Sequence, residues 1–506
     1  MNIQQESNQR QHKARWRGHM LPVIAILLLT TVWPATAAPP LGSAPDFAAI
    51  DAYVEAEMHA DRVPGVALAI VHNGEVVKLR GYGQDGNGQP VSPSTSFILG
   101  SMSKSFTALA VMQLVERGLV DLDSPVQRYL PWFTVKDPLA SATITIRQLL
   151  LHTSGIPQRA PQANSEAAML QDQVRALATT ALNHPPGTTH EYASPNYLVL
   201  GAIIEQVSGE HYDDYIEQHI FAPLDMRHSF TSQEVALQRG MARGHRYWFG
   251  FPIAATLPYE HDRMPTAAII SSAEDLGHYL LAQLNQEGYG DAVLSPTSMA
   301  QMHTPGVQSD GFSYAFGWRV GTIGGVPAIH HGGIVPHFRG KMVMLPEQSW
   351  GVAVLTNAST SFPLPIMPTS HRIADAVAGY LVGQPLSTGS YSQSTIYLAI
   401  TIGLALVLFG QLAALAKLKH WQAALPARPR ARVLADIGGE FLWPLLAAFA
   451  LPLLIGVPWG ELLRGTPDLA WWMIASSALG LLTGMIKALF VFQRRDTATQ
   501  QLPRPR

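Results

Sequence analysis

The stretch that decides the fold runs from Phe97 to Gly118 and reads FILGSMSKSFTALAVMQLVERG. Ser101 lies just ahead of a predicted helix, and apolar residues then recur at near-helical spacing as far as Val115. The pattern predicts an amphipathic helix that ends at Gly118, a residue suited to the left-handed cap position. Residues three apart lie on the same side of a helix. The spacing therefore predicts that the Lys104 amine can touch the Ser101 hydroxyl.

This pairing matters because a serine hydroxyl is a weak nucleophile until a neighbouring base takes its proton, and a lysine amine can be that base. A helix N-terminus also supplies positive potential for a developing oxyanion. The chain has eight lysines, and of these only Lys104 has a serine three residues before it. Taken alone, the tetrad also fits an ordinary helix start with serine as its cap. The choice between the two readings depends on the rest of the chain.

Composition excludes several classes of function. The 506 residues carry a net charge of −2, and no basic face recurs, so no nucleic-acid partner is predicted. Cysteine is absent, which excludes disulfides, thiolate nucleophiles and cysteine-bound metals. His330, His331 and His337 resemble a zinc-ligand group, but the chain has no HExxH motif. We therefore predict no metal and no cofactor.

The N-terminus has the layout of a secretory signal peptide. Basic residues up to Arg17 precede an apolar run from Leu21 to Val32, and the small residues Ala35 and Ala37 then stand at cleavage-site spacing. We predict a signal peptide over residues 1–37, with an uncleaved anchor as the alternative. In either case the domain that follows is exported.

The C-terminal part is predicted to cross a membrane. Runs without a charged residue cover 395–416, 441–460 and 469–486, each close to the length that a bilayer requires. We predict three transmembrane helices, at 395–416, 437–458 and 469–492. Basic residues are concentrated after the first run and in the tail, which by the positive-inside rule makes those segments cytoplasmic. The protein is then a multi-pass protein of the cell (inner) membrane, with its globular domain on the periplasmic or extracellular side.

The middle of the chain, residues 45–383, is predicted to be one globular domain. Two β-branched runs flank Asn73-Gly74, the pair that a type I′ hairpin prefers. Predicted strands at both ends enclose a helix-rich middle, which indicates an α+β fold whose terminal strands share one antiparallel sheet. Tyr192 is predicted to lie in a loop before a helix, and His152 to brace a turn by hydrogen bonding.

At this point the sequence resembles a known family, the serine β-lactamases and penicillin-binding hydrolases. The resemblance is particularly to the class C β-lactamase-like group, which includes D-aminopeptidases, DD-carboxypeptidases and esterases. The resemblance rests on Ser101-Met102-Ser103-Lys104, which matches the SxxK element, on the surrounding stretch, and on further segments that cover most of residues 45–383. It implies a β-lactamase/transpeptidase-like antiparallel sheet flanked by helices, with a helical subdomain.

The resemblance also implies roles for single residues. Ser101 would be the acylated nucleophile and Lys104 its proton partner, while Tyr192 would protonate the leaving group and activate water. Substrate would be bound by Ser194 and by His331, Gly332 and Gly333, the last three at the place of the family's KTG element. The backbone N–H of Ser101 and one from the following strand would bind the oxyanion.

Two positions depart from the family pattern. Ser194 stands where the YxN element normally has asparagine, and His337 stands where glycine is usual near the mouth of the site. Asn196 is not a substitute, because Tyr197 keeps the usual register.

From the resemblance and the predicted spans together we expect a membrane-tethered serine hydrolase that acts on small-molecule or peptide substrates of the cell envelope: peptides, D-amino-acyl amides, esters or β-lactams. The alternative is a non-catalytic module of the same fold that binds or senses envelope fragments.

Overall fold

A computed structural model describes residues 44–161, 169–256, 261–285, 289, 292–359, 367–386, 392–450 and 459–500. Its strands are β1 (Gly65–His72), β2 (Glu75–Gly83), β3 (Ser96–Ile98), β4 (His245–Trp248), β5 (Phe251–Ala254), β6 (Ile270–Ser272), β7 (Val307–Ser309), β8 (Phe312–Tyr314), β9 (Arg319–Ile323), β10 (Val326–Val335), β11 (Phe338–Leu345), β12 (Trp350–Thr356) and β13 (Ala358–Ser359). Eight of them form one sheet in the order β2-β1-β12-β11-β10-β9-β8-β7. Two small sheets, β13-β4-β5 and β3-β6, flank it.

The α-helices of the described residues follow the same chain order. They are α1 (Phe47–Asp61), α2 (Ser103–Glu116), α3 (Pro138–Thr143), α4 (Ile146–Leu150), α5 (Leu170–Arg175), α6 (Pro195–Ser208), α7 (Tyr212–Ile216), α8 (Gln233–Gln238), α9 (Ala273–Gln283), α10 (Pro296–His303), α11 (Thr369–Leu381), α12 (Gln393–Ala416), α13 (Leu418–Ala424), α14 (Arg430–Leu445), α15 (Trp459–Gly465) and α16 (Pro467–Gln500). Helices α2 to α10 lie between the early and late strands of the large sheet, so the domain is α+β, as predicted.

The first and last long strands pair with each other, which confirms the sequence-based prediction. β1 and β12 are antiparallel, with a register that runs from Val66 opposite Thr356 to His72 opposite Trp350. β2 then returns along β1 through Asn73 and Gly74, whose φ angles of 48° and 84° are those of a type I′ turn. The two ends of the domain are thereby joined in one sheet.

The large sheet is buried on both faces. Side chains of a strand alternate between the faces, and those of β1 divide accordingly. Ala67, Ala69 and Val71 join the core that contains α2 and α9, whereas Leu68 and Ile70 join the core beneath α1 and α11. The architecture is therefore a sheet between two helical layers, and the larger layer contains α2.

Helix α2 differs from its prediction in one respect. It begins at Ser103, after a 3₁₀ turn at Gly100–Met102, and Gly118 has the left-handed φ of 70° that was expected. However, every residue from Ser103 to Leu114 is buried, so the amphipathic prediction was wrong. The polar residues Ser105 and Thr107 are satisfied by buried hydrogen bonds, because α2 runs between the sheet and the helical subdomain formed by α3 to α8.

Within the described residues, two helices of the C-terminal part are long and apolar enough to cross a membrane. These are α12, over Gln393–Ala416, and the segment Pro467–Gln493 of α16. They correspond to the first and third predicted spans. The second predicted span, 437–458, begins in α14, continues through a π-helical turn at Leu446–Ala450 and then leaves the described residues, so it stays a prediction. The predicted signal peptide, 1–37, lies entirely outside the described residues.

Candidate active site

The structure brings Ser101 and Lys104 together as their spacing predicted. Ser101 lies in the 3₁₀ turn that leads into α2, and its side chain is half-buried. The Lys104 Nζ donates to Ser101 Oγ at 3.2 Å and to the carbonyl oxygen of Thr266 at 2.9 Å. Lys104 itself is fully buried. The amine is therefore fixed from two sides in a position from which it can exchange a proton with the hydroxyl.

Tyr192 lies beside the amine of Lys104. It belongs to the loop before α6, and its ring centroid is 5.0 Å from the Lys104 Nζ. Its hydroxyl is buried and has no hydrogen-bond partner within the described ranges. A buried, unpaired hydroxyl is costly unless something occupies the site, so this group is a candidate to contact substrate or water.

His152 holds the Tyr192 loop in place, which confirms the prediction that it braces a turn. The backbone N–H of Ala193 donates to His152 Nδ1 at 3.2 Å, and the imidazole centroid lies 4.4 Å from that of Tyr192. Burial, together with the positive charge of Lys104, lowers the pKa of His152 well below its usual value. The ring is therefore neutral and can accept the hydrogen bond from Ala193.

Asn196 and Ser194 have separate environments. Asn196 is fully buried, with its Oδ1 accepting from the Ser154 hydroxyl at 2.6 Å and its Nδ2 3.1 Å from His152 Nδ1. It is thus committed to the support of the loop and does not replace the missing asparagine. Ser194 is half-buried, and its backbone N–H donates to Gln158 Oε1 at 2.6 Å. Contact of its side chain with substrate stays a prediction.

His331 is fully buried, and both of its ring nitrogens lie close to neighbouring oxygen atoms. Its side chain is fully buried on β10, where Nδ1 is 2.8 Å from the carbonyl oxygen of Gly332 and Nε2 is 3.2 Å from the Tyr314 hydroxyl. Burial, with further contributions from Arg319 and Lys104, lowers the pKa of His331 well below its usual value. The neutral ring therefore donates to the carbonyl and accepts from Tyr314, and direct contact with substrate stays a prediction.

Gly332 and Gly333 allow β10 to pass close to its neighbours. A Cβ atom on Gly333 would lie 1.8 Å from the carbonyl oxygen of Leu99, just ahead of Ser101. A Cβ atom on Gly332 would lie 2.1 Å from His371 Nε2. Any larger residue would therefore push the strand away from the nucleophile or from the helix behind it.

Two side chains near the site were not singled out from the sequence. Tyr314 links His331 to the Tyr192 loop. Its ring centroid lies 6.0 Å from that of His331 and 6.0 Å from that of Tyr192. The guanidinium of Arg319 lies 5.9 Å from the Tyr192 ring centroid, and its Nε has no hydrogen-bond partner in the described part of the chain. The sequence of Tyr314 to Trp318 resembles a segment typical of the family, but Arg319 follows directly after that segment and was therefore not noticed.

Comparison with known proteins then decides the family. The family model described as Beta-lactamase matches residues 50–376, which is most of the globular domain and more than half of the chain. The chain belongs to this family. Its fold is accordingly of the β-lactamase/transpeptidase type, and the paired Ser101 and Lys104 lie within the matched region.

Curated relatives of the chain include Protein flp and a penicillin-binding protein. The chain is 31% identical over 321 residues to Protein flp of Staphylococcus aureus strain MW2, a match that covers 62% of this chain and 63% of that protein. It is 32% identical over 320 residues to Penicillin-binding protein 4 of Amycolatopsis lactamdurans, covering 59% and 83% of the two chains. The matched region therefore covers less than two thirds of the length of Protein flp.

Solved structures give the same fold. The octameric penicillin-binding protein homologue from Pyrococcus abyssi superposes with a TM-score of 0.58 at 26% identity, covering 66% of this chain and 77% of that chain. A class C beta-lactamase mutant superposes with a TM-score of 0.56 at 21% identity, covering 66% and 96%. At that identity the second likeness concerns the fold alone.

Proposed function

We propose that the protein is a serine hydrolase that acts through an acyl-enzyme on Ser101. The observation that carries the proposal is the 3.2 Å contact between Lys104 Nζ and Ser101 Oγ at the start of a buried helix. Family membership supports it, because the family's fold is one on which serine hydrolases are built. Lys104 can accept the proton of the Ser101 hydroxyl, and the helix N-terminus stabilises negative charge that develops nearby.

In this mechanism the Ser101 oxygen attacks the carbonyl carbon of the substrate, and its proton passes to Lys104. Tyr192, whose ring lies beside the Lys104 amine, delivers a proton to the leaving group as the acyl-enzyme forms. Water then attacks the acyl carbon and loses its proton to the same pair, which releases the acid and restores Ser101. The oxyanion is bound by the N–H of Ser101 and by one from β10, where the backbone nitrogen of Ile334 lies close to Gly100.

The substrate class we propose is acyl compounds of the cell envelope: peptides, D-amino-acyl amides, esters or β-lactams. Ser194 in place of an asparagine removes a carboxamide that would pair with the substrate's amide, which favours esters and small acyl groups slightly. Arg319 lies beside Tyr192, and its Nε–H has no hydrogen-bond partner among the residues that the structure describes. A guanidinium in such a position favours substrates that carry a carboxylate or phosphate.

We further propose that the domain is tethered to the membrane and lies on its outer side. The two apolar helices α12 and α16 support the tether, and the basic residues that follow α12 support the orientation. The catalytic domain then meets its substrates in the periplasm or outside the cell, and it stays attached to the membrane.

A second candidate is a binding or sensing module that signals through the membrane helices. It is favoured by the polar contacts that join the domain to those helices. The Ser394 hydroxyl donates to the carbonyl oxygen of Ala60 at 2.7 Å, and the backbone N–H of Phe249 donates to Asp468 Oδ2 at 2.7 Å. Movement of the domain would be transmitted directly to α12 and α16. The intact pair of Ser101 and Lys104 nevertheless favours the hydrolase.

The test is mass spectrometry of the intact purified protein after exposure to a fluorophosphonate and, separately, to a penicillin. The hydrolase proposal expects a fluorophosphonate adduct that disappears in Ser101→Ala. Ser103→Ala is the matched control, because the buried Ser103 hydroxyl accepts from the N–H of Ile269. Its loss leaves that N–H unsatisfied at a cost of about 1–3 kcal/mol of stability but removes no nucleophile. A lasting penicillin adduct would add that the site admits such acyl groups. Folded protein that forms neither adduct would favour the binding module.

A further inference from the structure

The hairpin of β4 and β5 has an exposed face that is apolar and aromatic. Trp248 pairs with Phe251 and Arg246 with Ile253, and residues directly opposite each other in an antiparallel pair lie on the same side of the sheet. Phe251 is 55% exposed and Ile253 44%, whereas Tyr247, on the other side, is buried. We call Arg246, Trp248, Phe251 and Ile253 the hairpin face. Its clustered exposed apolar side chains indicate a surface that contacts something.

The tip of this hairpin lies at one end of the two candidate membrane spans. The backbone N–H of Phe249 donates to Asp468 Oδ2 at 2.7 Å, and the Tyr397 hydroxyl donates to the same oxygen. Tyr397 precedes Lys417, the first charged residue after α12, by 20 residues, which is about 30 Å of helix and therefore one hydrocarbon thickness. Tyr397, Asp468 and the hairpin tip are thus at the level where the outer surface of a bilayer would lie.

A groove adjoins the hairpin face at the same level. It has a volume of about 810 Å³ and lies between α1 and β2, and its lining includes His59, Arg62, Arg80 and Glu55, the last two forming an ion pair. Arg62 Nη1 donates to the carbonyl oxygen of Gly250 at 3.1 Å, and its guanidinium lies 4.5 Å from the Phe251 ring centroid. The groove is fixed to the membrane helices, since Ser394 bonds to the carbonyl oxygen of neighbouring Ala60.

We propose that the hairpin face and this groove together contact the headgroups of the outer leaflet, in addition to the anchoring by the spans. The proposal rests on the membrane tether of the proposed function. Trp and other aromatic rings favour the interface between hydrocarbon and water, and guanidinium groups bind phosphate through paired N–H donors. Trp248 and Phe251 therefore enter the interfacial layer, and Arg62 binds lipid phosphate.

This contact fixes how the domain stands on the membrane. At the base of the hairpin, Gly244 lies against His337, in the turn that joins β10 to β11, and against Phe338, the first residue of β11. The turn at the end of β10, the strand beside Ser101, is thereby connected through the hairpin to the headgroup contact.

The absence of cysteine allows a direct test with single-cysteine variants of the full chain. Phe251→Cys is labelled with an environment-sensitive fluorophore and reconstituted in vesicles of phosphatidylethanolamine and phosphatidylglycerol that contain lipids with a nitroxide on the headgroup. Ile253→Cys is a second position on the hairpin face. Leu139→Cys, on α3, is the matched control, because Leu139 is an exposed apolar residue, 73% accessible, in the helical subdomain. Phe409→Cys, 72% accessible within α12, reports whether the span is in the bilayer.

The proposal expects the headgroup nitroxide to quench the probes at 251 and 253 by about half or more, as for side chains roughly 5–10 Å deep in the interface, with no quenching at 139. A probe at 409 should be quenched by a nitroxide placed deep in the acyl chain. Quenching at 409 with none at 251 or 253 would overturn the headgroup contact and leave the tether standing. No quenching at 409 would overturn the tether, and this proposal with it.

Discussion

Gly333→Ala tests whether the close approach of β10 to the Ser101 turn is required for activity. The added Cβ would lie 1.8 Å from the carbonyl oxygen of Leu99, whereas real Cβ contacts essentially never fall below 3.0 Å. The strand and the turn must therefore separate by at least the difference, 1.2 Å. A displacement of about 1 Å at a catalytic site costs on the order of 10²-fold in rate. Overpacking of this kind costs about 1–3 kcal/mol of stability, so the domain should remain folded.

The assay is the second-order rate constant for labelling by a fluorophosphonate, measured beside the thermal unfolding midpoint. Gly321→Ala on the neighbouring strand β9 is the matched control, because the atom nearest to its added Cβ is 3.8 Å away. It should label at nearly the rate of the unchanged protein. If Gly333→Ala is folded and its labelling rate falls by less than about threefold, the close approach is not part of the machinery and this reasoning fails.

Three further changes test single groups of the site. Lys104→Gln removes the proton acceptor and should slow fluorophosphonate labelling by roughly 10²–10⁴-fold; an unchanged rate would exclude Lys104 as the base. Arg319→Gln should lower kcat/KM for an ester with a free carboxylate by about 10-fold or more and leave the neutral methyl ester unaffected; equal losses for both would exclude an anion contact. Burial lowers the pKa of His337 to about 4, so its neutral form is favoured in the folded state. The contribution of His337 to stability is thus complete above the unfolded pKa of about 6.5 and falls by up to about 1.4 kcal/mol per unit as the pH drops towards 4. His337→Gly, at a φ of 74°, should make urea midpoints measured between pH 7 and 5 less dependent on pH than in the unchanged protein, and an identical slope would contradict the assignment.

The sequence by itself determined the features that depend on local spacing. The three-residue separation of Ser101 and Lys104 placed an amine beside a hydroxyl, because one helical turn repeats after three to four residues. Asn73-Gly74 determined the first hairpin, because both residues tolerate a positive φ. The uncharged runs indicated the two helices that are long and apolar enough to span a membrane.

Other features were decided by contacts between distant parts of the chain. Helix α2 is buried on every side, although its apolar spacing suggested one exposed face, because the sheet and the helical subdomain enclose it and its hydroxyls find partners there. Arg319 and Tyr314 reach the site only because β8 and β9 continue the large sheet beyond β10. No spacing along the chain encodes such neighbours.

The two glycines of β10 separate what the sequence shows from what only contacts between distant parts of the chain decide. The resemblance to a family marked Gly332 and Gly333. In the structure, the imidazole of His371 leaves no room for a side chain at Gly332, and the carbonyl oxygen of Leu99 leaves none at Gly333. Both of these neighbours are more than 30 residues away along the chain. The same holds for Asp468, which the sequence shows only as an acid beside an apolar run and which the fold pairs with Phe249 and Tyr397. Local sequence fixes dihedral angles and periodicity, whereas packing alone decides which distant groups share a volume.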